Sequence, residues 1–248
     1  MIVRSLAGRR STVLAWAAIC GIVAFNLGWL VAEALQAGAY SAATDDVSDL
    51  DALTATDPWV MLTASGVAGP ATILFALFAL RPALGVAARG SAIGAWLLAL
   101  SLMGLDNLSD VFFRLDCRAA DAGCTMEVAT SSGHATIHVA VAIVSAAATV
   151  TAPFVLAHRM RRTAHWRDLA RPAVVFGLVM PALLVAYAAL ERRTGGGYLQ
   201  RAAIVWLSLG VVALAMRVRT LARGGAGEAQ DDRTWSADES GPGRRSTR

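Results

Sequence analysis

The chain has no lysine, only three cysteines and four histidines, and few charged residues of any kind, 16% of its 248 positions. Hydrophobic residues make up 56%. So little charge is unusual for a soluble domain. No GxGxxG fingerprint, P-loop, HExxH pair or Ser-His-Asp motif occurs, and no internal repeat is evident. These absences remove the ordinary signals for nucleotide binding, zinc proteolysis and serine hydrolysis. The ten-residue alternating segments of a membrane β-barrel are also missing. The net charge of +4 comes from arginine alone and reads as membrane orientation, not nucleic-acid binding.

What the chain does have is six long apolar stretches between short charged loops. Residues 13–35, 59–80, 91–113 and 133–157 each approach or exceed the roughly 20 residues that cross a bilayer. Residues 173–190 and 202–216 are shorter, and the last lengthens if Arg201 and Arg217 snorkel to the interfaces. The fold class is therefore all-α, a polytopic membrane protein with a bundle of six transmembrane helices over residues 13–220. Residues 1–12 form a cytoplasmic N-terminal segment. Residues 221–248, rich in Gly, Ser, Asp and Arg, form a disordered cytoplasmic tail, because they cannot bury a core. The first stretch follows Arg4, Arg9 and Arg10, as a signal peptide would, but its apolar core is longer than a signal peptide's, so it reads as a retained helix.

Arginine orients the bundle. Arg4, Arg9 and Arg10, then Arg81 and Arg89, then the run from Arg159 to Arg171, then Arg217, Arg219 and Arg223 all fall on one side of alternating spans. The first loop on the other side holds Asp45, Asp46, Asp49, Asp51 and Asp57 with no arginine. Both termini then face the cytoplasm. Arg192, Arg193 and Arg201 run against this sum without reversing it. Trp29, Trp59, Tyr187 and Tyr198 fall near the outer interface, where such rings prefer to sit. The acidic first loop reads as solvated, and Cys20 as a small core residue. Pro70, Pro153 and Pro181 are expected to kink their helices, while Gly66, Gly69 and the Gly90/Gly94 pair permit close helix contact.

Ionisable groups inside spans are costly and mark candidate sites. Asp106 and Asp110 are four apart near the outer end of the third span, and His134 and His138 are four apart at the outer start of the fourth. Consecutive antiparallel spans bring both pairs to one depth, so the four should form one cluster, with Asn26 and Glu33 of the first span as possible neighbours. Such a cluster simply ties helices together, or it holds an ion, lipid or small molecule. No cofactor is firmly implied. A divalent metal such as zinc on His134, His138 and Asp110 is possible chemistry. Cys117 and Cys124 in the third loop are expected to form a disulfide on the oxidising outer side.

Ser48-Asp49-Leu50 after the first span, Asp116-Cys117 with Cys124 after the third, and His134 or His138 opening the fourth resemble the domain-of-unknown-function 998 family of bacterial multi-spanning membrane proteins. The resemblance covers roughly residues 13–219 and implies the bacterial plasma membrane, but no reaction. Alkaline-ceramidase-type lipid hydrolases also use embedded His and Asp, yet the last two spans here hold no histidine. The leading expectation is a non-enzymatic protein with an outer-leaflet Asp/His pocket. A metal-dependent enzyme acting on lipid comes second, and a small transporter third.

Overall fold

The computed structural model describes residues 2–38, 40–85, 93–190 and 193–238, with side chains from Gly8 to Gly224. Gly90, of the Gly90/Gly94 pair, and Arg192 lie outside the described residues. Helix α1 is Ile2–Leu35, so the N-terminal segment is continuous with the first span. Helix α2 covers Trp59–Ala83 and includes one π-helical turn, Ala76–Leu80. The third span holds α3, Ile93–Ala99, and α4, Asn107–Asp110. A short α5, Met126–Ala129, lies in the third loop. Then come α6, Gly133–Arg161, α7, Arg167–Leu190, and α8, Gly196–Asp238. Packing runs α2 on α1, α1 on α8, α8 on α7, α7 on α6, and α6 on the third span, which closes against α2. The spans form a ring.

Five helices are long and apolar enough to cross a membrane. The third stretch, expected as one helix over 91–113, is broken among its described residues. Ser101 is extended, with φ −72° and ψ 173°, and a π turn, Leu102–Asp106, follows it. Local chemistry accounts for the break. The Ser101 hydroxyl donates to the Leu98 carbonyl at 2.7 Å, and the Leu102 amide leaves the helix to donate to Thr149 Oγ1 on α6 at 3.0 Å. Gly104 then lies so close to the preceding turn that a Cβ would sit 2.2 Å from the Ala99 carbonyl oxygen. Irregular backbone at membrane depth is tolerated only inside protein or beside a cavity, and Ser101 is buried.

Small residues set the close contacts. A Cβ on Gly69 of α2 would meet the Leu108 amide nitrogen at 2.6 Å, and one on Gly94 would meet Leu156 at 2.8 Å. Both glycines therefore let neighbouring backbones approach, as membrane helices without a hydrophobic driving force require. Pro70, Pro153 and Pro181 are accommodated within their helices. Cys20 is exposed on the outside of the ring and is not a core residue. Helix α8 continues to Asp238.

Candidate functional site

The first loop does not float in solvent. Asp45, Asp49 and Asp51 are buried, as are Val47 and Leu50 beside them. A 3₁₀ turn, Val47–Asp51, carries them, and Asp49 stabilises its start by accepting from the Asp46 amide at 3.1 Å. The other Asp49 oxygen accepts from the Ala119 amide at 3.1 Å, so the Ser48-Asp49-Leu50 segment fastens the first loop to the third. Arg114 reinforces the join by donating to the Asp51 and Ala52 carbonyls at 2.5 and 2.9 Å, and the Leu53 amide donates to Leu115. Arg118 crosses to Gln36 at 2.9 Å and pairs with Asp121 at 2.7 Å. Cys117 and Cys124 are joined as a disulfide, with Cα atoms 6.1 Å apart. Half-buried Asp116 accepts from Ser131 and Ser132, and the Ser132 hydrogen bonds hold its carboxyl below the usual range.

Arg201 organises the opposite side of this cap. Arg201 does not snorkel to the interface but is buried, 7% exposed. Its guanidinium donates to Glu33 at 2.9 Å, to Tyr40 at 2.5 Å, and to the carbonyls of Ala42, Asp45 and Gly197. It also lies 5.8 Å from the centre of the Trp29 ring. Trp29 is therefore buried under Arg201, whereas Trp59 and Tyr198 are exposed as interfacial residues should be. Asn26 pairs separately, donating to Ser208 at 2.9 Å and to the Ile22 carbonyl. Glu33 and Asn26 thus serve the α1–α8 seam and do not join the Asp/His group.

Beneath the cap the ring encloses a cavity of about 430 Å³. Its walls come from every span and from the first and third loops. Asp46, Val47, Ser48, Asp49 and Asp51 enter from the first loop, and Leu102, Met103, Asp106, Asn107 and Asp110 from the third span. The α6 wall is His138, Val139, Ala142, Ile143 and Ala146, and the α7 and α8 wall includes Met180, Leu184, Tyr187, Gln200, Ile204 and Leu207. Tyr187 donates to Asp46 at 2.6 Å, and Gln200 accepts from the Val47 amide at 2.6 Å.

Three of the four residues in the expected cluster line this cavity. His138 Nδ1 is 3.2 Å from both Asp110 Oδ1 and the Phe113 carbonyl. The carbonyl can only accept, so Nδ1 carries the hydrogen and directs it there. Asp110 Oδ1 is left without a hydrogen bond, as is Asp106 Oδ1. His134 is the exception. It is exposed, its Nδ1 donates to the Phe112 carbonyl at 3.2 Å, and its ring rests near Phe113. The triad His134, His138 and Asp110 is consequently not gathered, and among the described residues no three His, Cys, Asp or Glu side chains converge to hold a metal ion. The reason is geometric. Residues four apart on a helix differ by about 40° in direction, enough here to turn one imidazole outward.

Asp51 is the residue that sequence reasoning missed. It is 1% exposed, lines the cavity, and neither carboxylate oxygen has a hydrogen-bond partner. Burial pushes its carboxyl well above the usual range, and the neighbouring Asp110 charge adds to this, while His138 and Arg114 oppose it. The available signal was the apolar pair Val47 and Leu50 flanking Ser48-Asp49, which a solvated acidic loop has no need of.

No curated protein and no solved structure matches this chain. A model for the family described as "Protein of unknown function (DUF998)" matches residues 19–217, most of its length, and this multi-pass membrane protein belongs to that family.

Proposed function

We propose that the protein is a non-enzymatic binding protein of the bacterial plasma membrane whose central cavity takes a positively charged ligand from the outer side. The observation that carries this reading is Asp51, buried with neither carboxylate oxygen hydrogen-bonded, on the same cavity as Asp106, whose Oδ1 is also without a hydrogen bond, and Asp110, whose one near partner is His138. Buried carboxylate oxygens without partners are expensive, and a cation relieves that cost. His138 is the one basic side chain on the same walls. Asp110 and His138 are the binding residues anticipated from the sequence, and Asp51 joins them.

The orientation belongs to the same proposal. Both termini are cytoplasmic and six segments cross, the third as a broken helix. The arginine asymmetry supports this, and so does the Cys117–Cys124 bridge, which an oxidising outer face preserves. Cysteine-accessibility labelling on intact cells, in a background without the native cysteines, tests it. A cysteine replacing Ser48 should be labelled and one replacing Thr163 should not, and the reverse pattern would overturn the orientation.

Binding is tested on purified protein in lipid nanodiscs, titrated with methylammonium, calcium and zinc while thermal unfolding is followed. A ligand that binds only the folded state raises the melting temperature in proportion to RT ln(1 + [L]/Kd). At least one cation should stabilise the wild type, and the Asp51→Asn, Asp110→Asn double variant should lose that response. Absence of any cation effect, or an equal effect in the double variant, would sink the proposal.

A further inference from the structure

We infer that the ligand of this cavity is an amphipathic cation, an ammonium group on a hydrocarbon chain, held with its head at Asp51 and Asp110 and its chain directed toward the lipid between α6 and α7. The inference deepens the binding reading above and rests on it.

The cavity is divided by chemistry along its length. Carboxylates come from the first loop and the end of the third span. The remaining wall, descending along α6, α7 and α8, is apolar, with Ala142, Ala146, Met180, Leu184, Ile204 and Leu207. A bare metal ion or methylammonium would leave that wall facing nothing. About 430 Å³ is the volume of a pocket for a small organic molecule, not an ion. The absence of any three-ligand cluster among the described residues points the same way.

The rim shows where the chain would lie. Ile143 lines the cavity and is also 66% exposed, so the cavity meets the outside at this residue. Ile143 is ten residues beyond Gly133, the first residue of α6. At 1.5 Å per residue it lies about 15 Å down the helix, near mid-bilayer depth. The opening therefore faces hydrocarbon, not water. The packing of α7 explains the gap. Gly177 lies against Phe154 and Pro153 of α6, but α7 buries nothing beyond Met180 among its described residues. Beyond Met180 the α7 side chains facing the cavity, Leu184 among them, are therefore only partly covered. A ligand reaching this opening must be at home in lipid, while the far end of the same cavity demands positive charge. A zwitterionic phospholipid fits poorly, because its phosphate would meet the same carboxylates.

The experiment is equilibrium dialysis of the full-length protein in phosphatidylcholine nanodiscs, with empty nanodiscs as the blank. The probes are methylamine, hexylamine, hexanol and hexanoate at pH 7.5, where both amines are protonated. Hexylamine should bind at least about tenfold more tightly than methylamine, because burying even two methylenes accounts for such a factor. Hexanol and hexanoate should bind no better than the blank. Filling the apolar wall by Ala146→Phe should weaken hexylamine more than methylamine. Equal affinity for the two amines would overturn the amphipathic assignment and leave the cation reading standing. Hexanol binding as well as hexylamine, or neither amine binding at all, would overturn the cation reading itself. The probe series on the wild-type chain decides these cases even if the filled variant does not fold.

Discussion

Two acidic networks sit at similar depth in this bundle, and they are built to opposite ends. At the α1–α8 seam, Glu33 meets Arg201, whose other nitrogens are taken up by Tyr40 and three carbonyls. In the central cavity, Asp51 comes from the first loop and Asp106 and Asp110 from the third span, and each has at least one buried oxygen without a hydrogen bond, Asp110 keeping only the His138 ion pair. A satisfied network fixes structure, since every group that left water has found a replacement. Carboxylates left without hydrogen bonds beside a cavity are a cost that a fold built only for stability would not carry. The contrast separates a structural use of charge from a binding use within one protein.

The comparison is broken most severely at Arg201. Arg201→Ala should leave Glu33 without its cation and strip the Ala42, Asp45 and Gly197 carbonyls of their donor. Removing one member of a fully buried pair costs about 3–5 kcal/mol; Glu33 is only part-buried, so thermal unfolding in detergent should show a loss toward the lower end of that range. Arg201→Lys should recover only part of it, because an ammonium cannot supply the forked donor set. A loss below about 1 kcal/mol would mean that the seam is not the fastening described.

A smaller effect is expected where the cap is held covalently. Cys117→Ser with Cys124→Ser should cost about 2–3 kcal/mol if the bridge acts by restricting the unfolded chain. Mass spectrometry of non-reduced peptides must first find the two cysteines linked; free thiols at both positions under oxidising conditions would remove the premise. Next in size is Gly69→Ala, which forces a methyl group against the Leu108 backbone. Overpacking of this kind typically costs about 1–3 kcal/mol. It should also loosen the third span, and with it Asp106 and Asp110, so cation affinity should fall together with stability.

Much of this architecture is legible in the sequence, and the exceptions have a common cause. Apolar length located five crossing helices, because lipid imposes it residue by residue. Short spacing found the Cys117–Cys124 bridge, and four-residue spacing on antiparallel neighbours found Asp110 beside His138. What escaped depends on partners distant in the chain. The break at Ser101 needs Thr149, 48 residues on. Burial of Asp51 needs Arg114 and the third loop to draw the first loop inward. Composition alone described those aspartates as solvated, since nothing local opposes their hydration. Glu33 was closer to being solved. A carboxylate in one span requires a cation at the same depth, and Arg201, anomalous under the arginine count, was the residue available.

The smallest structural effect, and the sharpest test of the contrast, belongs to Asp51. Its folded-state pKa lies above its unfolded value, with burial as the main cause and the nearby Asp110 charge second. The sign follows from linkage. The folded state holds the proton more tightly, so this group's contribution to stability is complete below the unfolded pKa and is lost as pH rises through the folded one. The groups around it are Asp106, Asp110, His138 and Arg114. Asp51→Asn keeps the shape and removes the titration. The variant should match the wild type in melting temperature at low pH and exceed it as pH rises, while binding hexylamine more weakly. Glu33→Gln at the satisfied seam should do the reverse, lowering stability without touching amine affinity. A residue retained against its own stability is one kept for what it binds. If Asp51→Asn instead destabilises at every pH, as Glu33→Gln should, the two networks are of one kind and the cavity is only a packing fault.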